Sequence, residues 1–211
     1  MTPEERMRQV SRLLEEEYCA VEQGETESRD PFRTLISCVL SHRTRDANTA
    51  RAAEALFNVV STPEEVLDLE PDELRTLIRC SGFYNQKARN ITAICRDLVA
   101  SHGSTVPEDR ETLMSLRGVG PKTADIVLDH AYNVPAIAVD VHVARVARRL
   151  GLADPKAGPE EVKAALERLV PPERYRYIDN GFVMHGKEYC RKTAPRCGEC
   201  PLSGVCENPK K

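Results

Sequence analysis

Repeatedly along this 211-residue chain, a proline follows a residue suited to cap a helix. Thr2-Pro3-Glu4-Glu5 and Thr62-Pro63-Glu64-Glu65 each put a capping hydroxyl before proline at the first helical position, with acids in the first turn. Asp30-Pro31 opens a helix in the same manner, and Gly158-Pro159-Glu160-Glu161 is a weaker version. Proline has no N–H to leave unsatisfied there, and acids complement the positive end of the helix dipole. Apolar residues recur behind these starts at helical spacing. Phe32, Leu35, Ile36, Val39 and Leu40 form one predicted buried stripe, and Ile91, Ile94, Cys95, Leu98 and Val99 another. Gly151 after Leu150 terminates a helix expected to start near Val141. The one strand candidate, 135–139, is short and contains proline, so it reads as an extended connector. The expected fold class is all-α, with composition breaks at Gln23–Ser28 and Asn133–Ala138.

Composition excludes some function classes. No apolar run approaches the roughly 20 residues of a membrane span, so no membrane association is expected. The first 30 residues carry no apolar core of the kind a secretory leader has, which predicts a cytoplasmic protein. Net charge is −3, but residues 1–30 hold nine acids against four arginines, leaving a mildly basic body, and residues 187–211 hold six Lys/Arg against three Glu. That distribution permits a phosphate-facing surface without demanding one.

Eight cysteines without a leader suggest thiols or metal ligands rather than disulfides. Cys19, Cys38, Cys80 and Cys95 sit among apolar neighbours and read as small core residues. Cys190, Cys197, Cys200 and Cys206 fall within 17 residues at the spacing C-x6-C-x2-C-x5-C. Four thiolates that close together can converge on an iron–sulfur cluster or on zinc. Zinc usually takes two C-x2-C knuckles and only one is present, so the unequal spacing suits a cubane cluster better.

Residues 110–116 read as a short helix, followed by Arg117-Gly118-Val119-Gly120-Pro121 and a second helix from Lys122 to about Tyr132. Glycines at 118 and 120 allow positive φ and close approach of another backbone. A helix start reached through such a turn presents N–H donors suited to a phosphate, although two glycines also serve a plain packing turn. Lys122 lies in the first turn, where the dipole disfavours a cation by a few tenths to about 1 kcal/mol, the direction a nucleophilic amine needs. Asp140 is the expected N-cap of the next helix, a role that by itself accounts for an Asp there. The helix after Lys122 is about 16 Å long, and seven extended residues reach roughly 24 Å. The chain can therefore return far enough to bring Asp140 beside Lys122.

These residues together resemble the endonuclease III family of DNA glycosylases. The matching motifs are LRGVGPKTA (116–124), AVDVHVARVARR (138–149), GFYNQKA (82–88), VPEDR (106–110) and the cysteine spacing. The resemblance implies a two-lobed helix–hairpin–helix fold: a six-helix barrel over 24–134, and a second lobe of 1–23 with 135–211 carrying a [4Fe–4S] cluster on Cys190, Cys197, Cys200 and Cys206. It implies a monomer acting on double-stranded DNA with damaged bases or abasic sites, the target base being flipped out of the stack. Lys122 takes the place of the family's nucleophile and Asp140 that of its catalytic carboxylate. Oxidised pyrimidines would be excised and the strand cut by β-elimination.

Arg43, Asp46, Phe83, Arg117, Gly118, Val119, Gly120 and His142 fall at positions expected to face DNA. Arg117 stands where the family often has Pro, Arg43 where it often has a gap-filling Gln, and Phe83 where a Leu wedge is common. Phe83 either enters the duplex or packs in the core. The alternative to an enzyme is a non-catalytic or differently specific DNA-binding protein with a structural metal centre.

Overall fold

A computed structural model describes residues 1–18 and 30–208. Cys19, the break at 23–28 and the expected lobe boundary between 23 and 24 lie outside the described residues. Every regular element among the described residues is helical, and no helix there is long and apolar enough to cross a membrane. The chain divides into two compact units. One holds Asp30 to Val134; the other combines the N-terminal helix with everything from Pro135 onward.

The first unit contains α2 (Pro31–Ser41), α3 (Asp46–Phe57), α4 (Pro63–Asp68), α5 (Pro71–Leu77), α6 (Tyr84–Ser101), α7 (Arg110–Ser115) and α8 (Pro121–Tyr132). The expected capping chemistry operates: Asp30 accepts from the Arg33 N–H at 2.6 Å and Thr62 from the Glu65 N–H at 3.3 Å. Helix α2 is the central element, packed against α3, α6 and α8. Its whole predicted stripe is buried, with Leu35, Ile36, Val39 and Leu40 fully so. In α6, Ile91, Ile94, Cys95 and Leu98 are fully buried, but Val99 is 38% exposed. At about 100° per residue, Val99 falls roughly 80° from Ile91 around the helix, past the edge of the stripe that the other four share. Cys38 is also buried, whereas Cys80 is only partly so, its thiol 3.5 Å from the Asn48 carbonyl oxygen.

The second unit contains α1 (Pro3–Glu17), α9 (Val141–Leu150), α10 (Pro159–Leu169) and α11 (Tyr175–Glu188), with 3-10 turns at Pro172–Arg174 and Ser203–Val205. Thr2 and Glu5 cap α1 reciprocally. Helices α9 and α11 form the main packing pair, and Phe182 on α11 is fully buried among Met7, Leu14 and Val143 in the same apolar cluster. Residues 135–139 are an extended connector, as expected, with Ile137 fully buried. Gly151 closes α9 in the left-handed region at φ 72°. Arg6 on α1 is almost fully buried. It donates to the Gly151 carbonyl at 3.1 Å and pairs with Glu207 at 2.6 Å, which ties α1 to the end of α9 and to the segment after Cys206.

The two hairpin glycines differ in their physical reasons. Gly118 has φ +81°, and a Cβ there would lie 2.4 Å from the Asn90 amide nitrogen. Gly120 has an ordinary φ of −108°, and a Cβ there would meet nothing within 4 Å. Gly118→Ala is therefore expected to cost about 1–2 kcal/mol of stability from the left-handed backbone alone. Gly120→Ala should leave the thermal midpoint near that of the wild-type protein; equal losses in the two variants would contradict the distinction.

Candidate DNA-repair active site

The hairpin in the 30–134 unit is anchored on both sides. Asp109 caps α7 by accepting from the Thr112 N–H at 2.8 Å. Arg110 reaches across to α8, its Nε 2.9 Å from Asp125 Oδ1 and its Nη2 3.3 Å from Oδ2. This two-point ion pair on a buried carboxylate fixes one helix against the other. Leu113, Leu116 and Val119 are buried beneath the turn, while Arg117 and Gly118 are exposed. Gly120 occupies the N-cap of α8 and no side chain caps the helix. The helix start is thus kept open on the outside and held tightly on the inside. Lys122, second residue of α8, is exposed. Next to it, Thr123 is buried, its Oγ1 3.0 Å from His42 Nε2.

His42 begins a second group of site residues. Burial, followed by the nearby charges of Lys87 and Lys122, pushes His42 below its ordinary value and keeps it neutral near pH 7. Arg43 follows in the left-handed region at φ 53°, and Phe83 adopts the same region at φ 59°. The two side chains meet, with the Arg43 guanidinium carbon 4.9 Å from the Phe83 ring centroid. Phe83 is 61% exposed, which removes the core-packing reading of this residue. Asp46 stands apart from this contact, exposed at the first position of α3, where its charge complements the helix dipole.

Beneath the Arg43–Phe83 contact lies a residue that sequence reasoning passed over. Lys87 is buried, and its Nζ donates to the Leu40 carbonyl at 2.6 Å and to Thr44 Oγ1 at 2.7 Å. Burial pushes its ammonium down to about 8. A signal was present: Lys87, Ile91, Ile94 and Leu98 follow one helical face, so a lysine sits on an apolar stripe.

In the other unit, Asp140 is the N-cap of α9. Its Oδ1 accepts from the N–H groups of His142 at 2.7 Å and Val143 at 2.9 Å. His142 Nδ1 lies 3.0 Å from Arg145 Nη2; arginine only donates, so Nδ1 accepts and the ring proton sits on Nε2. Arg145 also donates to the carbonyls of Gly186 at 2.9 Å and Cys190 at 2.6 Å. Arg149, one turn further, donates to Cys190 Sγ at 3.4 Å and to the Arg191 carbonyl at 2.8 Å. The helix that begins at Asp140 is therefore bolted to the cysteine loop by two arginines, neither of which the sequence singled out.

All four predicted cysteines line one small concavity, with Val146, Leu150, His185 and Leu202 as its apolar and aromatic wall. Among the described residues no three His, Cys, Asp or Glu side chains converge as a single-ion site. Burial pushes Cys200 up to about 11, a backbone N–H at Leu202 partly offsets this, and the other three sulfurs raise it further. Four thiolates so placed need positive charge at their centre. His185 Nδ1 is buried with no hydrogen-bond partner among the described residues, and its Nε2 lies 3.5 Å from Cys200 Sγ.

A family described as HhH-GPD superfamily base excision DNA repair protein matches residues 36–172. Endonuclease III of Thermotoga maritima is 46% identical over 84% of this chain and 83% of its own length. The Escherichia coli K12 enzyme of the same name is 39% identical, over 86% and 85%. A solved endonuclease III–DNA covalent intermediate superposes with a TM-score of 0.90 at 34% identity, covering 99% of this chain and 98% of that one. The chain belongs to the endonuclease III family of the HhH-GPD superfamily.

The titration of His42 has a measurable consequence. Its folded value lies below the roughly 6.5 of an unfolded histidine, so its contribution to stability is present above that pH and is lost as pH falls through the folded value. Wild-type protein is expected to lose more thermal stability between pH 7 and 5 than His42→Gln, which can still bond Thr123 but does not titrate. Parallel curves for the two proteins would contradict this.

Proposed function

We propose that this chain is a bifunctional DNA glycosylase and abasic-site lyase that excises oxidised pyrimidines from duplex DNA, with Lys122 as nucleophile and Asp140 as the carboxylate that assists it. One observation carries the reading: an exposed lysine stands at a helix start whose cap position has no side chain and open space above it, in a chain that shares its fold with an endonuclease III trapped covalently on DNA. Main-chain donors at such a start suit a DNA phosphate, and the missing Cβ at Gly120 lets that phosphate approach. Arg117, exposed on the same turn, adds a cation for the backbone. On the other unit, His142 Nε2–H adds a donor beside Asp140.

In the first step the Lys122 amine attacks C1′ of the flipped nucleotide. The glycosidic bond breaks, its electron pair leaves with the base, and the base takes up a proton. Asp140 accepts the proton released by the attacking amine and offsets the positive charge that develops on the sugar. Ring opening gives a Schiff base between Lys122 and C1′, which acidifies the 2′ hydrogens. Loss of a 2′ proton expels the 3′ phosphate and cuts the strand; water then hydrolyses the imine and frees Lys122. A hydroxyl residue at position 122 would form no Schiff base, so the lyase step belongs to the lysine.

Cys190, Cys197, Cys200 and Cys206 would hold a [4Fe–4S] cluster. A single zinc at about 2.3 Å from each sulfur pulls four thiolates onto one point, whereas a cubane takes one thiolate at each of four irons and needs them spread around it. The concavity that the four cysteines share, their unequal spacing and the Arg149 donor on Cys190 support the cluster. Bound there, it would supply a cationic core that braces the loop Arg145 and Arg149 hold against α9. Duplex DNA and reduced thiols both suit a cytoplasmic setting.

Two experiments test these roles. Borohydride should trap wild-type protein on abasic duplex DNA, and Lys122→Ala should lose the adduct; an unchanged yield would remove Lys122 from the mechanism. In the same assay Asp140→Asn, which keeps a good N-cap, should hold its melting temperature while strand cleavage falls by about 10²-fold or more. Purified protein should be brown with a broad visible band, and Cys190→Ser should lose colour together with thermal stability. A colourless wild-type protein, or a Cys190→Ser variant that melts as the wild type does, would exclude the structural cluster.

A further inference from the structure

His185 is buried in the last turn of α11, and the steps described above give it no role. Its main chain and its side chain reach two different cysteines. The carbonyl accepts from the Tyr189 N–H at 3.0 Å and from the Cys190 N–H at 2.9 Å. The ring lies against Tyr189, with centroids 5.5 Å apart and planes 29° from parallel, and Nε2 is 3.5 Å from Cys200 Sγ. Tyr189 is itself held in place: its hydroxyl donates to Glu17 Oε1 at 2.7 Å, and the Arg196 guanidinium carbon lies 5.6 Å from its ring centroid. His185 Nδ1 is buried with no hydrogen-bond partner among the described residues. An unpaired buried polar atom lowers stability, and a phenyl ring would fill the same place against Tyr189 without that loss. Shape therefore does not explain an imidazole here, whereas contact with the sulfur does.

We propose that His185 is a positioning residue for the cysteine site: its Nε2–H donates to Cys200 Sγ, and this bond, rather than the packing of the ring, keeps the cluster in its loop. The role rests on the [4Fe–4S] reading above. A neutral imidazole carries one ring proton. A cysteine that ligates iron has given up its own proton, so its sulfur can only accept. With the ring proton on Nδ1, a donor would be buried unpaired and the Nε2 lone pair would face a negatively charged sulfur. With the proton on Nε2, the ring donates to that sulfur, and only a neutral acceptor at Nδ1 is left without a partner. A donor on a ligating sulfur disperses its charge and fixes its direction. Arg149 on α9 donates to Cys190 Sγ in the same way, so two of the four sulfurs are held from two different helices. His185 acts from a buried place, where water weakens such a bond least.

The test uses the full-length protein purified with its cluster and two variants that separate bonding from packing. His185→Gln offers an amide N–H near the place of Nε2 and loses the ring. His185→Phe keeps a ring against Tyr189 and loses the N–H. The visible band is followed after addition of an iron chelator. His185→Gln should bleach within about twofold of the wild-type rate. His185→Phe should bleach about tenfold faster or more, the scale of losing a partner behind a metal ligand, or take up no colour while His185→Gln does. A His185→Phe variant that keeps its colour as long as His185→Gln, or longer, shows that packing alone matters and overturns the proposal. A second measurement reads the bond itself in the wild type. With 15N-labelled histidine, the His185 ring should show a protonated Nε2 and a bare Nδ1; a bare Nε2 overturns the proposal, and this result decides the matter where neither variant takes up colour. A colourless wild type would instead overturn the cluster reading, and the role of His185 with it.

Discussion

The structure turns on a helix start that is deliberately left without a cap. Of the eleven α-helices among the described residues, five are closed at their start by a capping side chain, at Thr2, Asp30, Thr62, Asp109 and Asp140. At α8 the cap position is glycine, with no side chain to take the first donors and open space where one would be. A helix that forgoes a cap loses about 1 kcal/mol of stabilisation. The surrounding fold supplies compensation from below: Val119 and Leu116 are buried, Thr123 bonds His42, and Arg110 clasps Asp125. Lys122 inherits its exposed place from that arrangement, because it follows a start that is fixed internally and open externally.

Helix α9 solves the same problem in the opposite sense. Its cap is Asp140, and one carboxylate oxygen takes two backbone donors. The group read as catalytic is therefore also the group that starts its own helix, and its position cannot drift without loss of the cap. Arg145 and Arg149 extend the constraint to the cysteine loop, so that the segment lining the thiol concavity and the segment carrying Asp140 share bonds. A loop with little regular structure, such as 189–206, has few apolar contacts of its own to order it. A cluster at its centre would give it the rigidity that α9 then borrows.

The buried Lys87 places a polar cost in the core of its unit. An apolar residue on that face of α6 would extend the stripe of Ile91, Ile94 and Leu98. The lysine instead carries hydrogen bonds to the turn above it, and the result is two side chains presented in strained but ordered positions.

Much of this was legible in the chain itself. Caps before proline placed the helix starts, and spacing of Leu35, Ile36, Val39 and Leu40 placed the buried face of α2, because both depend on neighbours within a few residues. Asp140 as a cap, Lys122 in a first turn and the cysteine cluster were local patterns too. The departure of Val99 from its stripe was an error of angle, since a residue at the edge of a face is decided by whatever packs beside it. What only the tertiary structure decided was the traffic between distant segments: Lys87 with Leu40 and Thr44, His42 with Thr123, Arg43 with Phe83, Arg145 and Arg149 with Cys190. The sequence also named both hairpin glycines alike, and only the packing of Asn90 separated them, requiring Gly118 for the fold and leaving Gly120 open to the outside. Local backbone preference is written in short stretches of residues, whereas the partner of a long polar side chain depends on which helices the burial of apolar faces has already brought together.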